Sequence, residues 1–199
     1  MPEILIASQN IHKIAELTPL LEQAGFTVTD ARMHQLPEPA EDGKTFTDNA
    51  RIKAQAAVKA TGMAVLADDS GLVVEALGDF PGVDTAPYAQ CLGGYSQAVE
   101  DLFNQLDGRP SDCYLTTVVI VLFPDGREIL ATGRIDGVLQ REQRGDGEFG
   151  FDRWFEIKGL GRTYAELSID EKNKISHRGQ AMKDLLQQLK QMHELRAVS

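Results

Sequence analysis

Cysteine is scarce in this chain of 199 residues, which contains only Cys91 and Cys113. Two distant thiols supply neither a disulfide framework nor a zinc site, so both are expected to be reduced. Long apolar runs are also missing, and no basic stretch followed by a long apolar segment opens the sequence. These absences predict a protein without membrane association, and a cytoplasmic location is the default expectation.

Positive charge is in deficit, with 20 Lys and Arg against 30 Asp and Glu and a formal net charge of −10. Because phosphate contacts dominate the binding of DNA and RNA, this balance argues against a nucleic-acid polymer as partner. A locally basic pocket can still hold one small anion, especially together with a divalent cation. Neither GxxxxGK[ST] nor GxGxxG follows the first predicted strand, so the common NTPase and dinucleotide folds are not supported.

Helical and strand patterns alternate along the chain, which predicts one α/β domain over residues 1–199 with a mixed sheet and flanking helices. Helices are expected after Asn10 or Ser8 with a kink or restart at Pro19, and also over 48–60, over 96–106 with Ser96 as cap, and after Ser176. Residues 77–94 are expected to be irregular. The predicted strands cover 3–7, 26–29, 63–67, 114–123 and 128–134, with a hairpin turn at Pro124-Asp125-Gly126.

A first polar cluster follows the first predicted strand. It comprises Ser8, Gln9, Asn10, Ile11, His12 and Lys13. Backbone N–H groups at a helix N-terminus attract phosphate, and Lys13 lies one turn into the helix, where its ammonium can reach the same anion. Without the glycines of a phosphate loop, a capped helix with a solvated lysine is an equally ordinary interpretation of this segment alone.

Two further segments of the sequence carry pairs of acidic residues. The Pro-rich loop carries Glu38 and Glu41, and the following helix places Asn49 and Lys53 on one face because they are four residues apart. Asp68-Asp69-Ser70-Gly71 stands at the end of the strand over 63–67. Asp is unfavourable within strands, and Mg²⁺ prefers oxygen ligands, so Asp68 and Asp69 favour a magnesium site over an Asx turn.

A fourth cluster combines the aromatic segment Phe149-Gly150-Phe151-Asp152 with the cationic stretch from Lys172 to His177 and Arg178. Aromatic faces stack on bases, and a nearby carboxylate or backbone group can read a base edge. Taken alone, two core aromatics on a bend would explain the first segment equally well.

Together these segments resemble the Ham1-like family of inosine/xanthosine triphosphate pyrophosphatases, in the family's order from residue 4 to about 186. The matching motifs are Asn10-x-x-Lys13-x-x-Glu16, Gly43-x-Thr45-Phe46-x-x-Asn49-Ala50-x-x-Lys53-Ala54, Ala67-Asp68-Asp69-Ser70-Gly71-Leu72, Pro81-Gly82-Val83, Phe149-Gly150-Phe151-Asp152, Ala165-Glu166-Leu167 and Lys172-Asn173-x-Ile175-Ser176-His177-Arg178-Gly179. Many members carry arginine where this chain has Pro87, and proline where it has Arg153.

The resemblance implies a homodimeric, Mg²⁺-dependent enzyme with an elongated, two-lobed α/β fold of the Maf/Ham1 kind and an active-site cleft between the lobes. A C-terminal tail over about 194–199 is expected to be disordered. The implied reaction converts non-standard purine triphosphates (ITP, dITP and XTP) to the monophosphate and pyrophosphate. Two alternatives stay open: a related pyrophosphatase with a shifted base preference, and an inactive nucleotide-binding regulator.

Roles for the side chains follow from this chemistry. Asp69 is expected to act as general base or metal ligand, and the metal set is drawn from Asp69, Glu41, Glu38 and Asp68. Lys13, Lys53 and Lys172 are expected to bind triphosphate oxygens. His177 and Arg178 can donate to the 6-oxo group of hypoxanthine or xanthine, which adenine lacks. The expected substrate-binding residues are Ser8, Gln9, Asn10, Ile11, His12, Lys13, Lys53, Ser70, Phe149, Gly150, Phe151, Asp152, Lys172, His177 and Arg178.

Overall fold

A computed structural model describes residues 2–147 and 149–197, with the side chains of 193–197 outside the description. The strands are β1 (Glu3–Ile6), β2 (Thr27–Asp30), β3 (Val65–Val74), β4 (Phe80–Pro81), β5 (Ser111–Leu122), β6 (Glu128–Leu139) and β7 (Phe155–Ile157). The α-helices are α1 (Ile11–Gln23), α2 (Phe46–Thr61), α3 (Thr85–Cys91), α4 (Tyr95–Gln105), α5 (Ile169–Ile175) and α6 (His177–Ala197). The prediction of a disordered tail over about 194–199 lies outside the description: the side chains of 194–197 are not described, and residues 198 and 199 are not described at all.

The sheet is mixed, as the sequence predicts. Its strand order is β2-β1-β3-β5-β6-β7, and β4 pairs with β3 away from this path. β1 is parallel to both β2 and β3, whereas β4 and β7 run antiparallel to their neighbours. The predicted hairpin joins β5 to β6, with the amide of Gly126 donating to the carbonyl of Phe123.

The chain divides into two compact units. Unit 1 comprises Met1–Asp69, Thr117–Gly133 and Arg178–Ser199, and unit 2 comprises Ser70–Thr116 and Arg134–His177. Unit 1 has one apolar cluster on α1 and α6 and another on α2. Met182, Leu185 and Leu189 form the buried face of α6. Unit 2 has its own core, built around α4, β7 and the aromatic rings of Phe151 and Trp154.

The first helix is continuous, and the predicted restart at Pro19 is wrong. α1 runs from Ile11 to Gln23 with Pro19 inside it. A proline removes one N–H donor from a helix interior. Burial of Ile14, Leu17 and Leu21 at helical spacing on both sides of Pro19 stabilises one continuous apolar face.

The strand that carries the two aspartates is longer than predicted. Its parallel pairing with β1 ends at Leu66, but β3 continues to Val74, so Asp68 and Asp69 lie within the strand and not in a turn after it. The neighbouring strand β5 supports this extension, because the buried hydroxyl of Thr117 donates to the carbonyl of Asp69 at 3.0 Å.

Three smaller predictions also need correction. The segment expected to be irregular contains α3, whose Pro87 lies in the first turn, where a missing N–H costs nothing. Gly94 precedes α4, so Ser96 lies inside that helix and does not cap it. α5 was not predicted, although Ser168 and Glu171 form a capping box at its start. None of the helices among the described residues has the length and apolarity required to cross a membrane.

Candidate active site

Asp69 accepts a hydrogen bond at each of its two carboxylate oxygens. The ammonium of Lys53 lies 3.2 Å from its Oδ1 atom, and the amide of Asn49 donates to its Oδ2 atom at 3.3 Å. Both partners come from α2, where their four-residue spacing puts them on one face, as predicted. Burial raises the pKa of Asp69 above its usual value; Lys53 and Lys13 oppose this rise, and Glu41 and Asp68 reinforce it.

Two caps fix the helix that carries these partners. Thr45 accepts a hydrogen bond from the amide of Asp48 at the start of α2, and Gly62 ends the helix in the left-handed conformation. The amide of Gly43 donates to the side-chain oxygen of Asn49 at 2.9 Å, so the acidic loop determines which way the Asn49 side chain points. Its NH₂ group therefore faces Asp69.

Glu41 joins the acidic loop to this carboxylate. Its Oε2 atom lies 2.9 Å from the ammonium of Lys53, which places Glu41 and Asp69 on one shared cation. Burial acts to lower the pKa of Lys53, but Asp69, Asp68 and Glu41 outweigh it, and the net shift is upward. Glu38 is exposed on the same loop.

Asp68, one residue earlier, is buried and paired with two cations. Its Oδ2 atom lies 2.9 Å from the ammonium of Lys13 and 3.4 Å from Nε of Arg178. Burial alone would raise its pKa, but Lys13 and Arg178 outweigh that effect and hold the pKa of Asp68 well below its usual range. A second carboxylate, Glu16, lies 2.9 Å from Nη1 of Arg178.

Lys13 therefore occupies a defined position beside Asp68. Burial lowers its pKa, reinforced by Lys53 and Arg178 and opposed by Asp68 and Asp69. A buried lysine among other cations gains from any further anion that reaches it. This is a suitable arrangement for receiving phosphate oxygens.

The N-terminus of α1 is already partly satisfied by its cap. The side-chain oxygen of Asn10 accepts hydrogen bonds from the amides of His12 and Lys13, and the hydroxyl of Ser8 accepts from the amide of Asn10. Gln9 donates to the carbonyl of Leu36 at 2.6 Å. The backbone donors expected to meet phosphate therefore serve the cap, while Ile11 and His12 are exposed.

Asp69 and Glu41 are suited to a divalent cation. Across residues 2–147 and 149–197, no group of three or more His, Cys, Asp or Glu side chains converges. Mg²⁺ does not need such a cage, because one or two carboxylates suffice when substrate phosphates and water complete its shell. Glu41 and Asp69, which share Lys53, supply two carboxylates of this kind. On Asp68, by contrast, Lys13 and Arg178 would compete with a metal ion for the carboxylate.

Unit 2 contains a second polar group, centred on Lys172. Its ammonium forms a buried ion pair with Asp152 and lies 5.8 Å from the ring centroid of Tyr164. The Tyr164 ring in turn stacks on His177 with centroids 6.0 Å apart, and its hydroxyl lies 3.4 Å from Nδ1 of that histidine. Lys172, Asp152 and His177 are thus brought together as predicted, whereas Arg178 belongs to the carboxylates of unit 1.

The aromatic segment lies next to this group. Phe149 and Gly150 are half-buried, while Phe151 is buried and packs edge-on against Tyr95 with ring centroids 5.0 Å apart. Gly150 has a φ of +57°, which favours glycine. Ser70, also half-buried, follows Asp69 on β3 at the first position of unit 2.

Several contributors were not among the predicted site residues. Asn49 had a usable signal, because it stands one helical turn before Lys53. Glu16 had a weaker one, as a buried acid within an apolar helix face. Thr117 and Tyr164 reach their partners through the fold alone, and nothing in their local sequence indicates it.

Comparison with known proteins identifies the family of this chain. The chain matches the Ham1 family over residues 4–188. It is 40% identical to a dITP/XTP pyrophosphatase of Corynebacterium glutamicum, over 96% of this chain and 98% of that protein. The structure of a HAM1 protein from Coxiella burnetii superposes with a TM-score of 0.86 at 35% identity, covering 96% of this chain and 100% of that one. The Staphylococcus aureus Ham1 protein gives a TM-score of 0.83 at 32% identity, with coverages of 96% and 99%.

These matches span nearly the whole chain. They also match the mixed sheet and its flanking helices. This protein therefore belongs to the Ham1 family.

Proposed function

We propose that this protein hydrolyses non-standard purine nucleoside triphosphates, namely ITP, dITP and XTP, to the nucleoside monophosphate and pyrophosphate. It thereby removes deaminated purines from the nucleotide pool. The observation that carries the proposal is the Asp69 carboxylate, held by Lys53 and Asn49 beside the Lys13–Asp68 pair. Membership of the Ham1 family and the activity named for the Corynebacterium glutamicum relative support the choice of substrate.

The phosphate end of the substrate is assigned to unit 1. Lys13 and Lys53 act as point charges toward the triphosphate oxygens, and their ammonium groups already share the carboxylates of Asp68, Asp69 and Glu41. An arriving triphosphate exchanges one anionic partner for another. The site therefore needs no large rearrangement to bind it.

Asp69 is assigned the proton-accepting role. Hydrolysis at the α-phosphorus requires that water lose a proton as the bond to the pyrophosphate leaving group breaks. A carboxylate with a raised pKa accepts that proton better than an ordinary surface carboxylate. Asn49 and Lys53 hold its two oxygens, so the group is oriented before substrate arrives.

Magnesium is the proposed cofactor; Glu41 would be a protein ligand, and Asp69 would be a second one in the alternative in which it does not accept the proton. When bound, it supplies Lewis acidity and neutralises phosphate charge. Asp68 is excluded from this set in our proposal because Lys13 and Arg178 already satisfy it, and Arg178 is kept in place by Glu16.

The base end is assigned to unit 2. Phe149 offers a half-buried ring for stacking, and His177 and backbone amides near it supply donors suited to a 6-oxo group. Adenine presents a 6-amino donor in the same position, so buried donors would be left unpaired. Lys172, paired with Asp152 in the same unit, is assigned to the triphosphate oxygens.

We further propose a homodimer, as the family resemblance implies, and a cytoplasmic location, where the nucleotide pool is made. Cys91 and Cys113 are both free thiols, which is compatible with a reducing compartment.

The test is a substrate panel with ITP, dITP, XTP, ATP and GTP, measured with and without Mg²⁺ by release of pyrophosphate. We expect Mg²⁺-dependent release from the first three and little from the last two. Equal turnover of ATP and ITP would indicate the related pyrophosphatase with a shifted preference. Tight binding of ITP without pyrophosphate release would indicate a regulator.

A further inference from the structure

Arg153 ties together the loop that leads into the aromatic segment. Its Nε atom donates to the carbonyl of Gly147 at 2.9 Å, and its Nη2 atom donates to the carbonyl of Asp146 at 3.3 Å. A planar guanidinium donates in a fixed fork, so one side chain can hold two successive carbonyls in register. The bond from Nε is half-buried, where a hydrogen bond from a charged donor is stronger than in water.

Backbone contacts pin the same loop elsewhere. The amide of Arg144 donates to the carbonyl of Arg153 at 3.0 Å, and the buried hydroxyl of Thr163 donates to the carbonyl of Arg144 at 2.9 Å. Gly145 and Gly147 lie so close to Ala165 that a Cβ at either would crowd it. The side chain of Arg153 thus fixes the carbonyls of residues 146–147, and residue 147 stands two positions before Phe149 in the sequence.

We infer that Arg153 is a positioning residue for base recognition. It holds the 146–147 backbone so that Phe149 presents its ring in one orientation to the purine. The inference rests on the proposed function, because it presumes that Phe149 stacks on the base. Arg153 belongs to unit 2, whereas Lys13, Lys53 and Asp69 belong to unit 1.

The test compares Arg153→Ala and Arg153→Lys with the control Arg141→Ala. Arg141 is an exposed arginine of the same unit that pairs with Glu100, so its loss removes equal charge without touching the loop carbonyls. For Arg153→Ala we expect KM for ITP to rise about tenfold, equivalent to about 1.4 kcal/mol. We expect kcat to stay within about twofold of wild type, because the ground state and the transition state lose the same binding. In Arg153→Lys, KM for ITP should lie between the values of wild type and Arg153→Ala, because an ammonium can donate to one of the two carbonyls.

Inorganic tripolyphosphate separates base from phosphate binding, because it lacks a base. Its inhibition constant should be unchanged in Arg153→Ala. Trp154, the single tryptophan of the chain, is buried next to Arg153 and reports on the loop directly. Acrylamide should quench its fluorescence more in Arg153→Ala than in wild type, and Arg141→Ala should match wild type in every readout.

The outcomes are distinct. A wild-type protein that hydrolyses no purine triphosphate would sink the proposed function, and this inference with it. An active wild type with unchanged KM and quenching in Arg153→Ala overturns the inference alone. Weakened tripolyphosphate inhibition overturns it as well, because Arg153 would then act on phosphate. If Arg153→Ala does not fold, Arg153→Lys decides by the same readouts.

Discussion

The side-chain amide of Asn49 lies 3.3 Å from Oδ2 of Asp69, while Lys53, one turn later on the same helix, lies 3.2 Å from Oδ1. Both oxygens of one carboxylate are therefore oriented by a single helix face. Such an arrangement holds a proton acceptor in place before substrate binds, and it makes Asp69 the first residue to test.

Asp69→Asn should lower kcat at least about a hundredfold, the scale of one general-base contribution. The substitution keeps size and polarity but removes the charge that accepts a proton or binds metal. Pyrophosphate release from ITP measures the effect, and thermal unfolding should show that the fold is retained. The exposed Asp84→Asn is the matched control. Near-normal turnover in Asp69→Asn with Mg²⁺ present would remove Asp69 from the catalytic role.

Asp68→Asn should act on stability. Asp68 is buried between Lys13 and Arg178. Removing its charge takes away the ion-pair partner of Lys13 and one of the two carboxylates on Arg178, and breaking a buried pair typically costs about 3–5 kcal/mol. Because the folded pKa of Asp68 lies below its usual range, its contribution is full above the unfolded value of about 3.9 and is lost as pH falls below it. Denaturant unfolding of both proteins at pH 7 and at about pH 2.5, well below the unfolded pKa, should show the stability gap narrowing in acid. A constant gap would contradict the ion-pair account.

Much of this site could be predicted from sequence, because its signals are local. Helical spacing puts Asn49 and Lys53 on one face, and an aspartate pair after an apolar run is conspicuous whatever the fold. The extent of β3 could not be predicted, since its continuation past Leu66 depends on β5 as a neighbour and on Thr117 in particular. Pairing of strands distant in sequence leaves no periodic trace around Asp68.

Local sequence signals also could not predict that His177 and Arg178 have partners in different units. His177 and Arg178 are adjacent in sequence, yet one contacts Tyr164 in unit 2 and the other contacts Glu16 and Asp68 in unit 1. Backbone direction at the start of α6 separates them. A motif shows which side chains are present, whereas the partners of each depend on packing across the whole chain.

Gly137→Ala should destabilise unit 2. A Cβ at Gly137 would fall among the ring atoms of Phe155 and the carbonyl of Glu156, 2.6 Å from the latter, so the antiparallel pairing of β6 with β7 must shift. Overpacking of this kind costs about 1–3 kcal/mol. Gly159→Ala is the comparison, because its Cβ meets nothing within 4 Å and only its φ of +83° opposes the change. Denaturant midpoints measure both, and equal losses would argue against the steric account.

Lys13→Ala and Lys172→Ala test the assignment of the triphosphate. If both ammonium groups reach phosphate oxygens, each substitution raises KM for ITP or lowers kcat, while the preference for ITP over ATP stays constant. Lys59→Ala on α2 is the exposed control. A changed base preference in Lys172→Ala would instead place that lysine at the base, in keeping with its pairing to Asp152 and its position beside Tyr164. Steady-state kinetics on the two nucleotides distinguishes the outcomes.

Arg178→Ala decides whether this arginine reads the base, as its sequence context suggests, or organises unit 1. Its guanidinium already contacts Glu16 at 2.9 Å and Asp68 at 3.4 Å, and Asp68 in turn holds Lys13. We therefore expect kcat/KM for ITP and ATP to fall by similar factors, with their ratio unchanged, because the loss acts through the position of Lys13. Glu16→Gln should produce the same pattern more weakly, since the amide keeps one acceptor for the guanidinium. A ratio that narrows in Arg178→Ala alone would show that Arg178 donates to the 6-oxo group, and the organising role would be wrong.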